Sequence, residues 1–477
     1  MFTSTKHLLA VKTKDRHRRH TVVPKQFFRT FLTVLIVGTS AGCQSVPTGS
    51  EEMSQPANGM AALNVLAESY VKLNLGLGQH DRSHVDAYYG PPEWEKAAQT
   101  DGSSVEELKI SATTLLKKLE DFDTQISETE VANTNRGSNT QLLGIRHRYL
   151  VTQTRALVTR LEMLTGTKRS FDEESKLLYD AVAPSRTEKN FEKTLTSLDH
   201  LLPGQGPLVK RFERFKTQFA IPNDLLGKVF RTAINACQER TRQYINLPDN
   251  ESFEIEYVRG RPWAAYNWYK GNYHSVIQIN TDYPIFIDRA VDLACHEGYP
   301  GHHVYNVLLE QNLVRNKQWW EFSLYPLYSP QSLIAEGSAM FGIELAFPND
   351  ERIEFERDVL FPLARLDPNQ VKRYYEVQGL IEQLGYANIE TARRYLDGKI
   401  DFFDAIEWLE TYALMPSPRP AVQFINENRS YVINYYLGRD LIKRHLEARV
   451  RDPGDSVQLW EEFIQLLSSP RVPSELD

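Results

Sequence analysis

Cysteine is scarce in this chain, with three in 477 residues, too few for a disulfide-stapled scaffold. A net positive charge is confined to the N-terminus. Residues 1–42 carry eight Lys or Arg against one Asp, which leaves the remainder at −14 within a formal net charge of −7. An acidic body of that size argues against nucleic acid as a partner, because phosphate binding draws on clustered Lys and Arg. The chain contains no G-x-S-x-G and no phosphate-binding loop, and Gly76-Leu-Gly78 lacks the third glycine of a dinucleotide turn. No internal repeat of 20 to 50 residues is visible. What remains is an ordinary globular composition, 41% hydrophobic and 25% charged, able to bury a large core.

The N-terminus reads as an address. Lys12, Lys14, Arg16, Arg18, Arg19, Lys25 and Arg29 lead into the apolar run Phe31-Leu-Thr-Val-Leu-Ile-Val-Gly38. A bilayer needs about 20 apolar residues, so this run is too short to span one and suits the h-region of a signal peptide. It ends in Ser40-Ala41-Gly42-Cys43, which resembles the bacterial lipobox, where the cysteine receives a lipid and becomes the new N-terminus. Ser40 replaces the usual Leu. The expectation is a signal peptide over residues 1–42 and a membrane anchor at Cys43. Gln44 rather than Asp after the cysteine favours the outer membrane, with the protein facing the periplasm. Residues 43–60, rich in Ser, Pro, Gly and Gln, read as a flexible tether.

From Ala61 the periodicity is mostly helical, and residues 61–250 read as an N-terminal helical region. Strict alternation marks Phe253–Val258 as a strand, and Ser275–Asn280 reads as a second. Gly260–Gly271 between them reads as a turn-rich connection. Helices are expected again at 287–314, 330–346 and through most of the chain to 468. The fold class is therefore mainly α, a large helical array with a small β-sheet just before residues 287–314. Residues 251–477 form the region that carries the chemistry, one compact unit with 61–250.

The chemistry is concentrated in Cys295-His296-Glu297-Gly-Tyr-Pro300-Gly301-His302-His303. Three histidines within eight positions, beside a glutamate, suggest a metal. The H-E-x-x-H pattern of zinc peptidases sets two histidines one turn apart, with the Glu as general base. Here Pro300 stands where the second histidine belongs. On an ideal helix, a residue six positions on is turned by about 240° and displaced about 9 Å along the axis, so His296 and His302 would not share an ion. Proline removes an intrahelical hydrogen bond and glycine relieves steric limits, so Pro300-Gly301 can bend the chain and return His302 toward His296. His303 is the alternative second ligand. Glu336, on an apolar and small-residue helix where an uncompensated carboxylate is costly, is the candidate third ligand. Asp292, one turn before His296, reads either as a residue orienting that imidazole or as a solvated one. Cys295 reads as a small buried residue, and its pairing with Cys237 is left open.

His296-Glu-Gly-Tyr-Pro-Gly-His302-His303, Glu336-Gly337 and Tyr435-Tyr-Leu-Gly438 together resemble the bacterial family called "domain of unknown function 885". Its pattern runs H-E-x-x-P-G-H-H, then E-G-W-A, then a late Y-x-x-G. Asp86-Ala-Tyr-Tyr-Gly-Pro-Pro92 and Leu247-Pro-Asp-Asn-Glu251 are also similar to its landmarks, so the resemblance covers most of the chain after the leader. Ser338 replaces a frequent Trp. The resemblance implies a gluzincin-like helical metallopeptidase, and Gly301-His302 repeats the Gly-His pair of the helical gluzincins, which favours His302 over His303. With Zn2+ on His296, His302 and Glu336, Glu297 would act as general base. Tyr435 would stabilise the tetrahedral intermediate, with His303 and Tyr436 as alternatives. The expected activity is hydrolysis of peptides of limited length in the cell envelope. A peptide-binding lipoprotein without catalysis and a zinc hydrolase of a non-peptide amide are the rival readings.

Overall fold

A computed structural model describes residues 55–132, 138–261, 263–348, 350–452 and 454–476. The expected signal peptide, Cys43 and most of the tether lie outside them. Helix dominates at 67%, against 7% strand, so the mainly α expectation holds. One boundary moves. The helix Gln55–His80 takes in residues 55–60, the end of the expected tether. Pro56 falls in its first turn, where a missing N–H breaks no intrahelical bond.

Helices Gln55–His80, Val105–Ala132 and Ser138–Leu164 pack on one another ahead of the sheet. The helical first half is tied to the second by buried ion pairs. Arg146 donates from Nε and Nη2 to the two carboxylate oxygens of Glu321, at 2.6 and 2.9 Å, with both side chains at or below 1% exposure. Glu174 accepts from Arg429 Nε at 2.7 Å and from the Ser430 hydroxyl at 2.7 Å. Those contacts fix the tight turn Arg429–Val432 that leads into the helix Ile433–Glu447. Residues 53–477 form one compact unit.

Five strands form two small sheets: β1 (Val85–Tyr88), β2 (Ser252–Val258), β3 (Ala265–Tyr269), β4 (His274–Asn280) and β5 (Leu324–Pro326). β2 and β4 are the two expected strands, and they pair in parallel. The connection between them is not merely turns. It contains β3, which runs antiparallel to β4 and forms an edge of the three-stranded sheet, in the order β2-β4-β3. The aromatic residues of Ala-Tyr-Asn-Trp-Tyr suit a pleated, half-buried surface despite the flanking Gly and Pro. β1 pairs antiparallel with β5 across more than 230 residues of sequence.

The expected continuous helix over 287–314 is interrupted twice. Helix Ile287–Leu293 passes into a π-helical turn, Ala294–Gly298. The chain then turns through Tyr299, a cis Pro300 and Gly301 before helix His302–Leu309, and a second π-helical turn follows at Glu310–Arg315. The helix Pro330–Ala346 begins and ends where expected. It makes the molecule's most extensive helix contact with Ile433–Glu447. Gly337 and Gly438 meet at the crossing, where a Cβ on Gly337 would lie 2.4 Å from the Gly438 carbonyl carbon. Only glycine at these positions lets the backbones approach so closely.

Candidate metal centre

The bend at Pro300-Gly301 brings the two histidines together. A Cβ on Gly301 would lie 1.8 Å from the His296 carbonyl oxygen, so the chain can fold back on the π-helical turn only with glycine there. The Gly301 amide donates to the Cys295 carbonyl at 2.9 Å and holds the fold-back in place. Pro300 packs on Gly342 of the helix Pro330–Ala346, where a Cβ would approach Pro300 Cγ to 2.9 Å. Cys295 is joined to Cys237, which ties the π-helical turn to helix Leu226–Thr241.

The imidazoles of His296 and His302 stand at right angles, with centroids 4.7 Å apart. Glu336 Oε2 lies 3.2 Å from His296 Nε2 and 3.7 Å from His302 Nε2. One ligand atom from each of the three residues falls within 4.8 Å of the others. Glu336 Oε1 accepts a hydrogen bond from the Tyr431 hydroxyl at 2.7 Å, while Oε2 is buried without a hydrogen-bond partner among the described residues. A buried carboxylate oxygen that faces two imidazole nitrogens without a well-aligned hydrogen bond to either is an arrangement that suits a divalent cation. With the His302 proton displaced, two imidazoles and a carboxylate would offer three ligands and leave a fourth position open, as zinc takes in catalytic sites. Burial alone would raise the Glu336 pKa, but the two histidines pull it far below the ordinary carboxylate range, and the His302 pKa is correspondingly pushed up to about 9. Tyr431, which holds the candidate third ligand, was not singled out in the sequence. Its only signal was its position four residues before Tyr435, one turn away on the same late segment.

Glu297 follows His296 and lines the same cleft. Burial raises its pKa, while His296 and His302 act in the opposite direction. Its backbone carbonyl accepts from Asn267 Nδ2 at 2.6 Å, so β3 fixes the height of the π-helical turn. Tyr435 also lines the cleft. Burial raises its pKa well above 10, with Glu336 and Glu297 adding to the rise, so its hydroxyl keeps its proton. The crossing at Gly337 and Gly438 explains this placement. Glu336 immediately precedes one glycine, and Tyr435 lies three residues before the other.

His303 does not fit either expected role. It is fully buried, and both ring nitrogens are engaged, Nδ1 with Ser275 Oγ at 2.8 Å and Nε2 with Glu251 Oε2 at 2.9 Å. Glu251 also accepts from Tyr299 Oη at 2.7 Å and from Arg242. The turn that rotates His302 toward His296 directs its neighbour into the sheet, where it serves packing. The Tyr436 ring fills the space beside Gly385 and lines the cleft. Asp292 fits neither sequence reading; it is paired with Arg289 at 3.0 Å and Arg352 at 2.7 Å.

The cleft has a volume of about 690 Å³. β3 contributes Tyr266 and Trp268 to its lining, β1 contributes Asp86, and the helix Arg419–Asn428 contributes Phe424. Neither the protein-family models nor the curated proteins include a match to this chain. Among solved structures, the chain is similar to one described as "the putative lipoprotein from Colwellia psychrerythraea". The TM-score is 0.47 and the identity 16%, over 80% of this chain and 71% of that one. A likeness that distant speaks for neither function nor address.

Proposed function

We propose that the protein is a zinc-dependent peptidase of the cell envelope acting on peptides of limited length. The observation that carries this reading is the convergence of His296, His302 and Glu336 on one point, with Glu297 beside them and engaged in no ligand role. Zinc in such a set supplies Lewis acidity and brings the pKa of water near neutrality. Glu297 takes the proton of the attacking water and hands it to the departing amine. Tyr435 donates a hydrogen bond to the oxygen on which negative charge develops. Tyr431 and the Gly337–Gly438 crossing keep Glu336 and Tyr435 on one wall. A cleft of about 690 Å³ has room for a few residues of peptide.

Glu297→Gln tests the enzyme against a peptide-binding protein, because the amide keeps the shape but cannot accept the water's proton. The variant is expected to keep its zinc and its fold while peptide cleavage slows by about 10² to 10⁴-fold. Equal cleavage by both proteins would place the base elsewhere. A zinc-loaded wild type that binds peptides but cleaves none would make the protein a binder.

The envelope address rests on the lipobox-like Ala41-Gly42-Cys43 and on the Cys237–Cys295 bond, a linkage that suits oxidising compartments. No helix among the described residues is long and apolar enough to cross a membrane. The wild type is expected to fractionate with membranes and Cys43→Ala to appear in soluble or unprocessed form. An unmodified N-terminus downstream of residue 43 on freely soluble wild type would refute the anchor.

A further inference from the structure

Asp86 stands in the cleft with no part in the chemistry described above. In β1, Val85 is opposite Pro326 and Ala87 opposite Tyr325, so Asp86 is the extra residue of a bulge. Bulges free a residue from the ladder and re-aim its side chain, often beside active sites. The Asp86 side chain lines the cleft, and Oδ1 accepts a hydrogen bond from the Tyr266 hydroxyl of β3. Oδ2 makes no hydrogen bond among the described residues. The residue is close enough to His302, Glu336 and Glu297 to interact electrostatically with all three. It is not one of the clustered metal ligands. Burial pushes its pKa up to about 6, with Tyr266 and His302 acting against the rise, which marks a carboxylate short of a cationic partner.

A carboxylate held by one tyrosine and lining the same peptide-sized cleft as the candidate metal ligands offers a seat for a compact cation. The cation that an unmodified short peptide carries at one end is its α-ammonium, mostly protonated at neutral pH. We propose that Asp86 binds the free amino terminus of the substrate and thereby selects peptides cut close to that end. This rests on the peptidase reading above for the cut and on the geometry of Asp86 for the binding. Tyr266 orients the carboxylate. Nα-acylated peptides and internal segments of long chains lack the charge and would leave Asp86 desolvated and unpaired.

The test separates binding from turnover. Zinc-loaded Glu297→Gln protein, with and without Asp86→Asn, is titrated calorimetrically with a leucine-initiated tetrapeptide and with its Nα-acetyl counterpart. Protein with Asp86 intact is expected to bind the free-amine peptide at least about tenfold more tightly. Asp86→Asn is expected to abolish that preference with zinc content unchanged, and Tyr266→Phe, which keeps the carboxylate, to retain it. In cleavage assays on the Glu297 background, Asp86→Asn should raise KM for the free-amine peptide more than it lowers kcat. Equal binding of the two peptides by protein with Asp86 intact, or a preference that survives Asp86→Asn, would overturn the inference, and the first comparison decides even if Asp86→Asn does not fold. A preference intact in a wild type that hydrolyses nothing would overturn the peptidase reading and leave the ammonium site standing.

Discussion

His302 and His303 are adjacent in sequence and have opposite tasks. His302 faces Glu336, while His303 faces Glu251 in a fully buried network with Tyr299 and Ser275. His302→Ala should therefore release zinc, and in the metal-free protein it also removes a partner of the buried Glu336 carboxylate. His303→Ala should keep zinc yet lower unfolding stability by roughly 3 to 5 kcal/mol, because it leaves a buried carboxylate short of a partner. Metal analysis paired with urea unfolding separates the two, and loss of zinc in His303→Ala with full occupancy in His302→Ala would reverse the assignment. Burial works against ionisation of Glu251, but the bonds from His303 and Tyr299 hold its pKa down at about 2. Its contribution to stability is therefore full above the ordinary carboxylate value near 4.3, and it is lost as pH falls through that value toward 2. Residue type and the Pro-Gly interruption singled out His296, His302 and Glu336, which the structure brings together, and Glu297, which lines the same cleft. They did not assign His303 its structural role, because its partners lie 28 and 52 residues away in sequence.

At the scale of elements, the helix Pro330–Ala346 was legible because Pro330 suits a first turn and Pro348 stands just beyond its end. β3 was obscured by its Gly and Pro flanks, and β1 with β5 by brevity, since three or four residues paired across about half the chain leave no periodic trace. The π-helical turns have no sequence signature, although Pro300-Gly301 signalled a bend in the right place. That bend depends on Gly301, whose absent Cβ leaves room for the His296 carbonyl. Gly301→Ala must push the two ligand-bearing segments apart. It should weaken zinc affinity at least about tenfold, a larger effect than the ~1 kcal/mol of an ordinary glycine-to-alanine change in backbone freedom. Competition with a zinc-binding dye checks this, and affinity equal to wild type would remove the close approach from the account.

At the scale of the whole molecule, ties between distant parts of the sequence hold the site together. Arg146–Glu321 joins the helix Ser138–Leu164 to the turn Trp320–Ser323, Glu174–Arg429 joins the helix Phe171–Tyr179 to the turn bearing Tyr431, and the disulfide joins helix Leu226–Thr241 to His296's turn. The disulfide spans 58 residues of sequence, a loop whose closure is worth up to about 4 kcal/mol on the chain-entropy model. Replacing both cysteines by serine should lower the urea midpoint accordingly and leave zinc stoichiometry unchanged, because neither sulfur is a ligand. An unaltered midpoint would show that the packing around the turn suffices without the bond.

The same bond also constrains how the protein matures. In a newly made chain, Cys295 carries a free thiol next to His296, and thiolate is the softer and stronger partner for zinc than the carboxylate of Glu336. A metal arriving early could settle on the neighbouring Cys295-His296 pair and hold the chain in a dead-end arrangement. Once Cys295 is oxidised onto Cys237, that competitor is gone, and His296, His302 and Glu336 are the donors left at this point of the fold. On the proposed zinc reading, oxidation of Cys295 before the metal arrives would keep the ion on His296, His302 and Glu336.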